Sequence, residues 1–232
     1  MKLITVSGPP SAGKTSVILR LAECLAGRLG VVKFDCLTSF DRETYESAGI
    51  PVKVGLSGKF CPDHFYVNNV DGAVEWGIRS GLDYLITESA GLCNRCSPHI
   101  TGIMGVCVID CLSGVRTPRK IGPMLRLADV VALTKGDIVS QAEREVFAWN
   151  VRQSNERAQI IFINGITGQG AFMLSKATED ARSVNTLSDA RLRFTMPTAA
   201  CAYCTGETRI GEPYQMGMME KMSYDEYGED EL

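Results

Sequence analysis

"GPPSAGKT", residues 8–15, decides the fold that this chain is expected to adopt. It fits the pattern G-x-x-x-x-G-K-[ST], follows an apolar run and precedes a helical pattern, which is the context this motif requires. Backbone N–H groups then converge on phosphate oxygens, and the start of the helix adds partial positive charge. Lys14 is predicted to reach the β- and γ-phosphates, and Thr15 to bind Mg²⁺. The residues predicted to hold the phosphates are Gly8, Pro9, Ser11, Ala12, Gly13, Lys14, Thr15 and Ser16.

Short runs rich in Val, Ile and Leu alternate with longer amphipathic stretches along the chain. One helix is predicted from Lys14 to about Leu29, and another after Ser140, which can form a capping box with Glu143. This alternation predicts an α/β fold, a three-layer P-loop NTPase with a mostly parallel sheet. Residues 1–175 form the predicted P-loop domain, and residues 176–232 a Cys-containing extension with an acidic tail. The predicted strands are 2–7, 30–35, 83–87, 104–110, 129–134 and 159–164.

Composition limits the classes of partner. The 232 residues carry a formal net charge of −3 without a broad basic field, so we expect no nucleic acid partner. The apolar runs are far below the roughly 20 residues that span a bilayer, so no membrane contact is expected. The chain starts with a strand pattern rather than a signal peptide, which predicts a cytoplasmic protein. In a reducing compartment, clustered members of its nine cysteines favour metal or redox chemistry.

Acidic residues follow two of the predicted strands. Asp35 and Glu88 stand at strand ends, and Asp41 follows Asp35 closely. Open α/β sheets bind ligands at the carboxyl ends of their strands. Asp35 and Glu88 are therefore predicted to hold Mg²⁺ together with Thr15. Asp35 or Asp41 is predicted to act in hydrolysis together with Lys14. An N-cap or a solvated loop charge is the alternative, and for Asp41 the two remain equally open.

"LTKGD", residues 133–137, follows a predicted strand and resembles the NKxD element of GTPases, with Thr134 replacing the usual asparagine. Asp137 can accept both guanine N–H groups, at N1 and at the exocyclic amine, and adenine offers no such pair. The stem of Lys135 can pack along the base plane. "INGITGQG", residues 163–170, resembles the second base-binding loop, with Asn164 as the predicted contact. The ordered pair of motifs favours GTP, and ATP stays possible.

Several ordered motifs resemble one group of proteins. "DCLTSFD", residues 35–41, is similar to switch I of the SIMIBI-class nickel-insertion GTPases, the accessory proteins of urease (UreG) and hydrogenase (HypB). Residues 113–138, with "ESAG" at 88–91 and "TGQG" at 167–170, resemble UreG closely. The resemblance covers about residues 1–175. It implies a P-loop fold that dimerises with nucleotide near the protomer interface and passes metal to a client enzyme.

The resemblance also points to metal ligands. In "GKFCPDHF", Cys61 and His64 match the Cys-Pro-His site of the urease relatives with one residue inserted. Cys96 stands near the cysteine that the hydrogenase relatives place before a proline, and Cys93 is an addition. A C-x-x-C turn and a C-x-x-H turn can together make a tetrahedral S₃N site for Zn²⁺ or Ni²⁺. The open alternatives are a [4Fe–4S] cluster bridging two protomers, a dithiol redox pair, and simple buried thiols.

The remaining cysteines are less informative. Cys201 and Cys204 form a second C-x-x-C pair, a possible second metal site. Cys24, on the first predicted helix, and Cys107 and Cys111, on or beside a predicted strand, are predicted to lie in the core.

These observations predict a GTP-hydrolysing metallochaperone or maturation factor. Its partners would be a second copy, bound in a nucleotide-dependent way, and a client metalloenzyme or its accessory proteins. Loops 36–44 and 89–99 would sense the γ-phosphate and make or break the thiolate site. The alternatives are an Fe–S protein that acts in electron transfer or metalloenzyme activation, and a nucleotide-dependent scaffold with negligible turnover.

Overall fold

The computed structural model describes residues 1–195, 206–211, 213–214 and 220–224. Seven parallel strands form one sheet in the order β3-β2-β4-β1-β5-β6-β7. This order places the ends of β2, β4 and β1 side by side, at the edge where parallel sheets bind ligands. The strands are β1 (Lys2–Ser7), β2 (Leu29–Asp35), β3 (Val52–Leu56), β4 (Tyr84–Ser89), β5 (Met104–Asp110), β6 (Val130–Thr134) and β7 (Gln159–Phe162).

Helices cover both faces of this sheet, because successive strand residues point to opposite sides and both sides are apolar. On one face, Ile4 packs with Val17 and Leu21 of the first helix. On the other face, Leu3 packs with Phe65 and Tyr66 of the third helix. The predicted three-layer α/β fold is confirmed. The helices are α1 (Lys14–Cys24), α2 (Asp41–Ser47), α3 (Pro62–Arg79), α4 (Pro123–Arg126), α5 (Gln141–Ser154) and α6 (Ala171–Glu179), with 3₁₀ turns at Cys111–Ser113 and Thr117–Arg119.

Most predicted elements are present, and three details differ. Strand β3 was not predicted, because as an edge strand it is only partly buried. Helix α1 ends at Cys24 rather than near Leu29, since Leu25 is extended and Gly27 adopts φ +143° beside Asp83. Cys24 is therefore exposed at the helix end and not in the core.

The predictions for two cysteines and for one helix start are correct. Cys107 and Cys111 are buried. The Ser140 hydroxyl accepts from the Glu143 N–H while the Glu143 carboxylate accepts from the Ser140 N–H, which is the predicted capping box. In the described ranges no helix is both long and apolar enough to cross a bilayer.

Described parts of the extension pack on the P-loop core. Helix α6 runs past the predicted boundary at residue 175 to Glu179. The Val184 N–H donates to the Met1 carbonyl at 2.8 Å, and the Arg193 N–H to the His99 carbonyl at 2.8 Å. Leu192 joins the buried cluster beneath α3. Cys201 and Cys204 lie outside the described residues, and the division into 1–175 and 176–232 stays a prediction.

Candidate functional site

The loop between β1 and α1 has the geometry that its sequence predicts. Gly8 lies so close to β5 that a Cβ there would be 2.0 Å from the Val108 carbonyl oxygen, and Gly13 adopts the left-handed φ of +89° before the helix. Lys14 Nζ donates to the carbonyl oxygens of Gly8 at 3.0 Å and Pro9 at 3.1 Å. Burial lowers the pKa of Lys14, and Glu88 partly opposes this shift. The loop is thus folded around its own lysine.

Carboxylates converge at the start of α1. The Thr15 hydroxyl lies 3.2 Å from Asp41 Oδ1 and 3.3 Å from Glu88 Oε1. The second Glu88 oxygen accepts from the Tyr45 hydroxyl at 2.7 Å. Glu88 is fully buried, because it is the fifth residue of the central strand β4. The hydroxyl and carboxylate oxygens form the hard oxygen set that Mg²⁺ requires, so the site fits this ion.

Lys33 is a buried member of this group that the sequence did not reveal. Its Nζ lies 2.9 Å from Glu88 Oε1, 2.5 Å from Asp41 Oδ2 and 3.7 Å from Asp35 Oδ2. Burial lowers the pKa of Lys33, but the charge of Glu88 and the hydrogen bonds of Asp41 and Glu88 outweigh it, so the pKa lies above its usual value. A buried ammonium therefore links every acidic residue predicted for this site.

Asp35 lies at the margin of this group. Its Oδ1 accepts from the Cys36 N–H at 2.8 Å, so the carboxylate is turned partly toward the loop that follows β2. The structure thus brings Asp41 closer to Thr15 than the sequence suggests. The assignments of Asp35 and Asp41 to hydrolysis, and of Asp35 to Mg²⁺, stay predictions.

The predicted base-binding residues are tied to the phosphate loop. The Thr134 hydroxyl donates to the Ala12 carbonyl at 2.6 Å, and Lys135 Nζ donates to the Ser11 carbonyl at 2.8 Å. Asp137 and Asn164 line a common cavity of about 90 Å³. Two strand ends therefore bring both predicted base contacts to one place beside the phosphate loop.

A compact group of possible metal ligands lies after β4. The thiols of Cys93 and Cys96 are 3.4 Å apart, and one carboxylate oxygen of Asp63 lies within 4.8 Å of both. Asp63 is 4% exposed, and the described residues offer its Oδ2 no hydrogen-bond partner. Burial raises the pKa of Asp63 to about 6, and it also raises the pKa of Cys96. Two thiols and a buried carboxylate are a donor set that suits a metal ion.

Asp63 is a member of this group that the sequence did not predict. Helix α3 begins at Pro62, so Asp63 lies in its first turn and points inward, while Cys61 precedes the helix and is exposed. His64 is buried one residue further along the helix, and burial lowers its pKa. The described ligand group comprises Asp63, Cys93 and Cys96 and includes neither Cys61 nor His64, so the S₃N set of Cys61, His64, Cys93 and Cys96 stays a prediction.

His99 lies in the core although it follows the C-x-x-C pair closely. Its Nδ1 is 2.8 Å from the Thr5 hydroxyl, and its Nε2 is 3.0 Å from the Met124 carbonyl oxygen. Burial lowers the pKa of His99 to about 4. The histidine of this segment therefore ties β1 to α4 and is not part of the ligand group.

The phosphate loop and the thiol loop touch. Lys14 Nζ lies 3.4 Å from the Ala90 carbonyl oxygen. Gly91 adopts φ +73°, and a Cβ on it would be 1.7 Å from the Gly8 carbonyl oxygen. Cys93 follows two residues later, so the first thiol lies a short backbone distance from the phosphate loop.

This site belongs to a known family. The family model described as the CobW/HypB/UreG nucleotide-binding domain matches residues 2–162. The chain belongs to the CobW/HypB/UreG family. One curated relative is the uncharacterized protein MJ0120 of Methanocaldococcus jannaschii. The two sequences are 44% identical over 225 residues, and the match covers 96% of each chain.

Solved structures share the fold of this CobW/HypB/UreG protein. The nickel complex of HypB from Helicobacter pylori has a TM-score of 0.59 at 19% identity, covering 80% of this chain and 91% of that one. HypB from Archaeoglobus fulgidus has a TM-score of 0.57 at 20% identity, and the match covers 77% of this chain and 89% of that one. The cell division protein FtsY of Thermotoga maritima has a TM-score of 0.53 at 17% identity, and the match covers 75% of this chain and 67% of that one. The predicted SIMIBI-type P-loop GTPase fold is confirmed.

Proposed function

We propose that this protein hydrolyses GTP and thereby controls a transition metal held by Asp63, Cys93 and Cys96, which it delivers to a client metalloenzyme. The observation that carries the proposal is the contact between the two loops. Gly91 packs on Gly8 of the phosphate loop, and Lys14 lies on the Ala90 carbonyl. A nucleotide that draws Lys14 toward its phosphates changes this contact, and the segment that ends in Cys93 follows.

Family membership supports nucleoside triphosphate hydrolysis, and the site supports GTP as the substrate. Lys14 would stabilise negative charge on the transferred phosphoryl group. Thr15 and Glu88, with Asp41 or Asp35, would hold Mg²⁺, which neutralises charge on the phosphate oxygens. Asp137 would accept the two guanine N–H groups beside Asn164. Either Asp35 or Asp41 would orient the attacking water.

The ligand group favours a borderline or soft divalent cation as cargo. Thiolates select such ions over Mg²⁺ or Ca²⁺, and among them the sequence favours Ni²⁺ and Zn²⁺. Three protein ligands leave a position open, as suits an ion that must be passed on. The nickel complex of the H. pylori HypB supports this choice for a protein of the same fold.

A [4Fe–4S] cluster shared by two protomers is the second candidate, and it has one supporting observation. Cys93 is only partly buried, and Leu92 beside it is 55% exposed, so the pair lies near the surface where a second copy could meet it. Two thiols from each copy would complete a four-thiolate site. An Fe–S role in electron transfer or metalloenzyme activation would follow.

Exposed apolar residues near the nucleotide site support a protein partner. Leu37 and Phe40, between β2 and α2, are 68% and 83% exposed. Large apolar side chains exposed together on a loop mark interaction sites in soluble proteins. We propose that a second copy binds here when nucleotide is present, and that the client or its accessory protein meets the complex.

Elemental analysis of anaerobically purified protein tests the proposal. The wild type should carry nickel, zinc or iron, and the Cys93→Ser/Cys96→Ser variant should lose it. Iron with matching sulfide and a brown colour would favour the cluster over Ni²⁺ or Zn²⁺. An unchanged metal content in the double variant would contradict the thiol site, and absent GTP hydrolysis in the presence of a client extract would contradict the enzymatic part.

A further inference from the structure

We propose that Lys33 is a built-in cation that competes with Mg²⁺ for its ligands, so that Mg²⁺ enters this site only together with a nucleotide. The inference deepens the proposed function and rests on it in one respect, namely that Mg·GTP is the bound species. It concerns how the Mg²⁺ ligands are held before nucleotide arrives. Nothing in the motif that defines the phosphate site requires a lysine at this place.

The position of the ammonium group carries the inference. Lys33 and Glu88 are paired residues of neighbouring strands β2 and β4, so their side chains point to the same side of the sheet. Nζ contacts Glu88 Oε1 at 2.9 Å and Asp41 Oδ2 at 2.5 Å. These are the carboxylates that also contact the Thr15 hydroxyl. The ammonium thus lies on the oxygens that a bound Mg²⁺ would need.

Burial explains why a cation is needed there. Glu88 is fully buried and Lys33 is 4% exposed. A buried carboxylate without a counter-charge is costly, and Asp41 beside it would add repulsion. Lys33 neutralises the group and keeps its oxygens together without metal. Mg²⁺ requires short oxygen contacts of about 2.0–2.1 Å in octahedral geometry, which an ammonium on the same oxygens blocks.

A nucleotide changes this balance, because its phosphates bring new negative charge next to Thr15. They supply further oxygen ligands to Mg²⁺ and a new counter-ion for the ammonium. Lys33 then exchanges Asp41 for the triphosphate. Since Asp41 is the first residue of α2, this exchange also frees the end of the loop that carries Phe40.

This role is tested by measuring Mn²⁺ binding to nucleotide-free protein through the EPR signal of the free ion. The parent protein carries Cys93→Ser and Cys96→Ser, which removes the thiol group as a second Mn²⁺ site, and every variant is made in this parent. Lys33→Met should bind about one Mn²⁺ per chain at least tenfold more tightly than the parent, because the carboxylates lose their internal cation. Lys33→Arg, which keeps the charge, should behave like the parent. Lys53→Met on the adjacent strand β3 is the matched control and should also behave like it.

Equal Mn²⁺ affinity of the parent and Lys33→Met would overturn the proposal. If Lys33→Met does not fold, the parent protein alone decides. Tight Mn²⁺ binding without nucleotide overturns the proposal, and Mn²⁺ binding that appears only with GDP or GTP supports it. Binding of a fluorescent GTP analogue in the presence of Mg²⁺ distinguishes failure of the Lys33 proposal from failure of the proposed function. If the parent does not bind the analogue, the proposed function is overturned instead.

Discussion

Gly91 lies directly against Gly8, so closely that a Cβ on Gly91 would be 1.7 Å from the Gly8 carbonyl oxygen. Gly8 is the first residue of the phosphate loop, and Gly91 stands two residues before Cys93. No side chain can fit between the two loops here. A movement of the phosphate loop toward Gly91 would therefore press on the backbone that leads to Cys93, which is the coupling that the proposed function requires.

Gly91→Ala should disrupt both sites. The new methyl group meets backbone, which cannot yield as a side chain can, so we expect at least a tenfold loss of nucleotide affinity and reduced metal content. Gly49→Ala is the matched control, because Gly49 has a similar φ of +71° and no atom within 4 Å of its Cβ position. A methyl group there should add only the strain of a left-handed backbone, which lowers the free energy of unfolding by roughly 1–2 kcal/mol. The nucleotide affinity should be unchanged. Fluorescent-nucleotide titration and thermal unfolding measure both effects.

Asp63→Asn should move metal affinity and stability in opposite directions. The variant loses an anionic ligand, so Ni²⁺ or Zn²⁺ affinity should fall at least tenfold in chelator competition at pH 7. The metal-free variant should be more stable at pH 7 by about 1–3 kcal/mol, because the folded wild type holds a buried carboxylate whose pKa is raised to about 6. Asp71→Asn, on the same helix, should change metal affinity little. Loss of stability together with unchanged metal affinity in Asp63→Asn would contradict the ligand assignment.

Burial explains how much of the fold the sequence could predict. The central strands are apolar on both faces, so their runs stand out, and a phosphate-loop motif after the first of them fixes the fold class. Strand β3 escaped because an edge strand is half covered and its "VKVGL" is short. The end of α1 was placed too late because Leu25 and Leu29 continue the apolar pattern after the backbone has turned at Gly27.

The candidate site was less predictable, because two of its residues act through partners that only folding supplies. Lys33 lies within an apolar strand pattern, and its partner Glu88 is 55 residues away. Asp63 was passed over for a C-x-x-H spacing, whereas the helix start at Pro62 decides which side chain faces the thiols. A lysine inside a buried strand and an acid beside a cysteine loop were the signals that could have revealed them.

Asp137→Asn should change the base preference in a direction that the hydrogen bonds fix. The amide can still accept from N1–H but presents a donor to the 2-position of the purine, where xanthine has a carbonyl oxygen and guanine an amine. We expect GTP affinity to fall at least tenfold and XTP affinity to rise. Competition against a fluorescent GTP analogue measures the ratio. An unchanged preference for GTP over XTP would show that Asp137 does not contact the base.

His99 should make the fold sensitive to acid. In the folded chain it stays neutral down to about pH 4, since burial and Arg193 lower its pKa, whereas in the unfolded chain it gains a proton near pH 6.5. Its contribution is therefore fully present above pH 6.5 and is lost as the pH falls toward 4, by about 3 kcal/mol. Denaturant unfolding of the wild type and His99→Asn at several pH values measures the difference. If the two proteins lost stability in parallel over this range, His99 would not be the cause.

Control of the metal by the nucleotide is tested by the affinity for Ni²⁺ or Zn²⁺ in each nucleotide state. It is measured with a chromophoric chelator on nucleotide-free, GDP-bound and GTP-analogue-bound protein. A nucleotide can shift the metal site only through a difference in affinity between states, so we expect the metal affinity to differ at least tenfold between the GTP-analogue and GDP forms. We expect no such difference in Cys93→Ser/Cys96→Ser. The same metal affinity in all three nucleotide states of the wild type would show that the nucleotide does not control the metal.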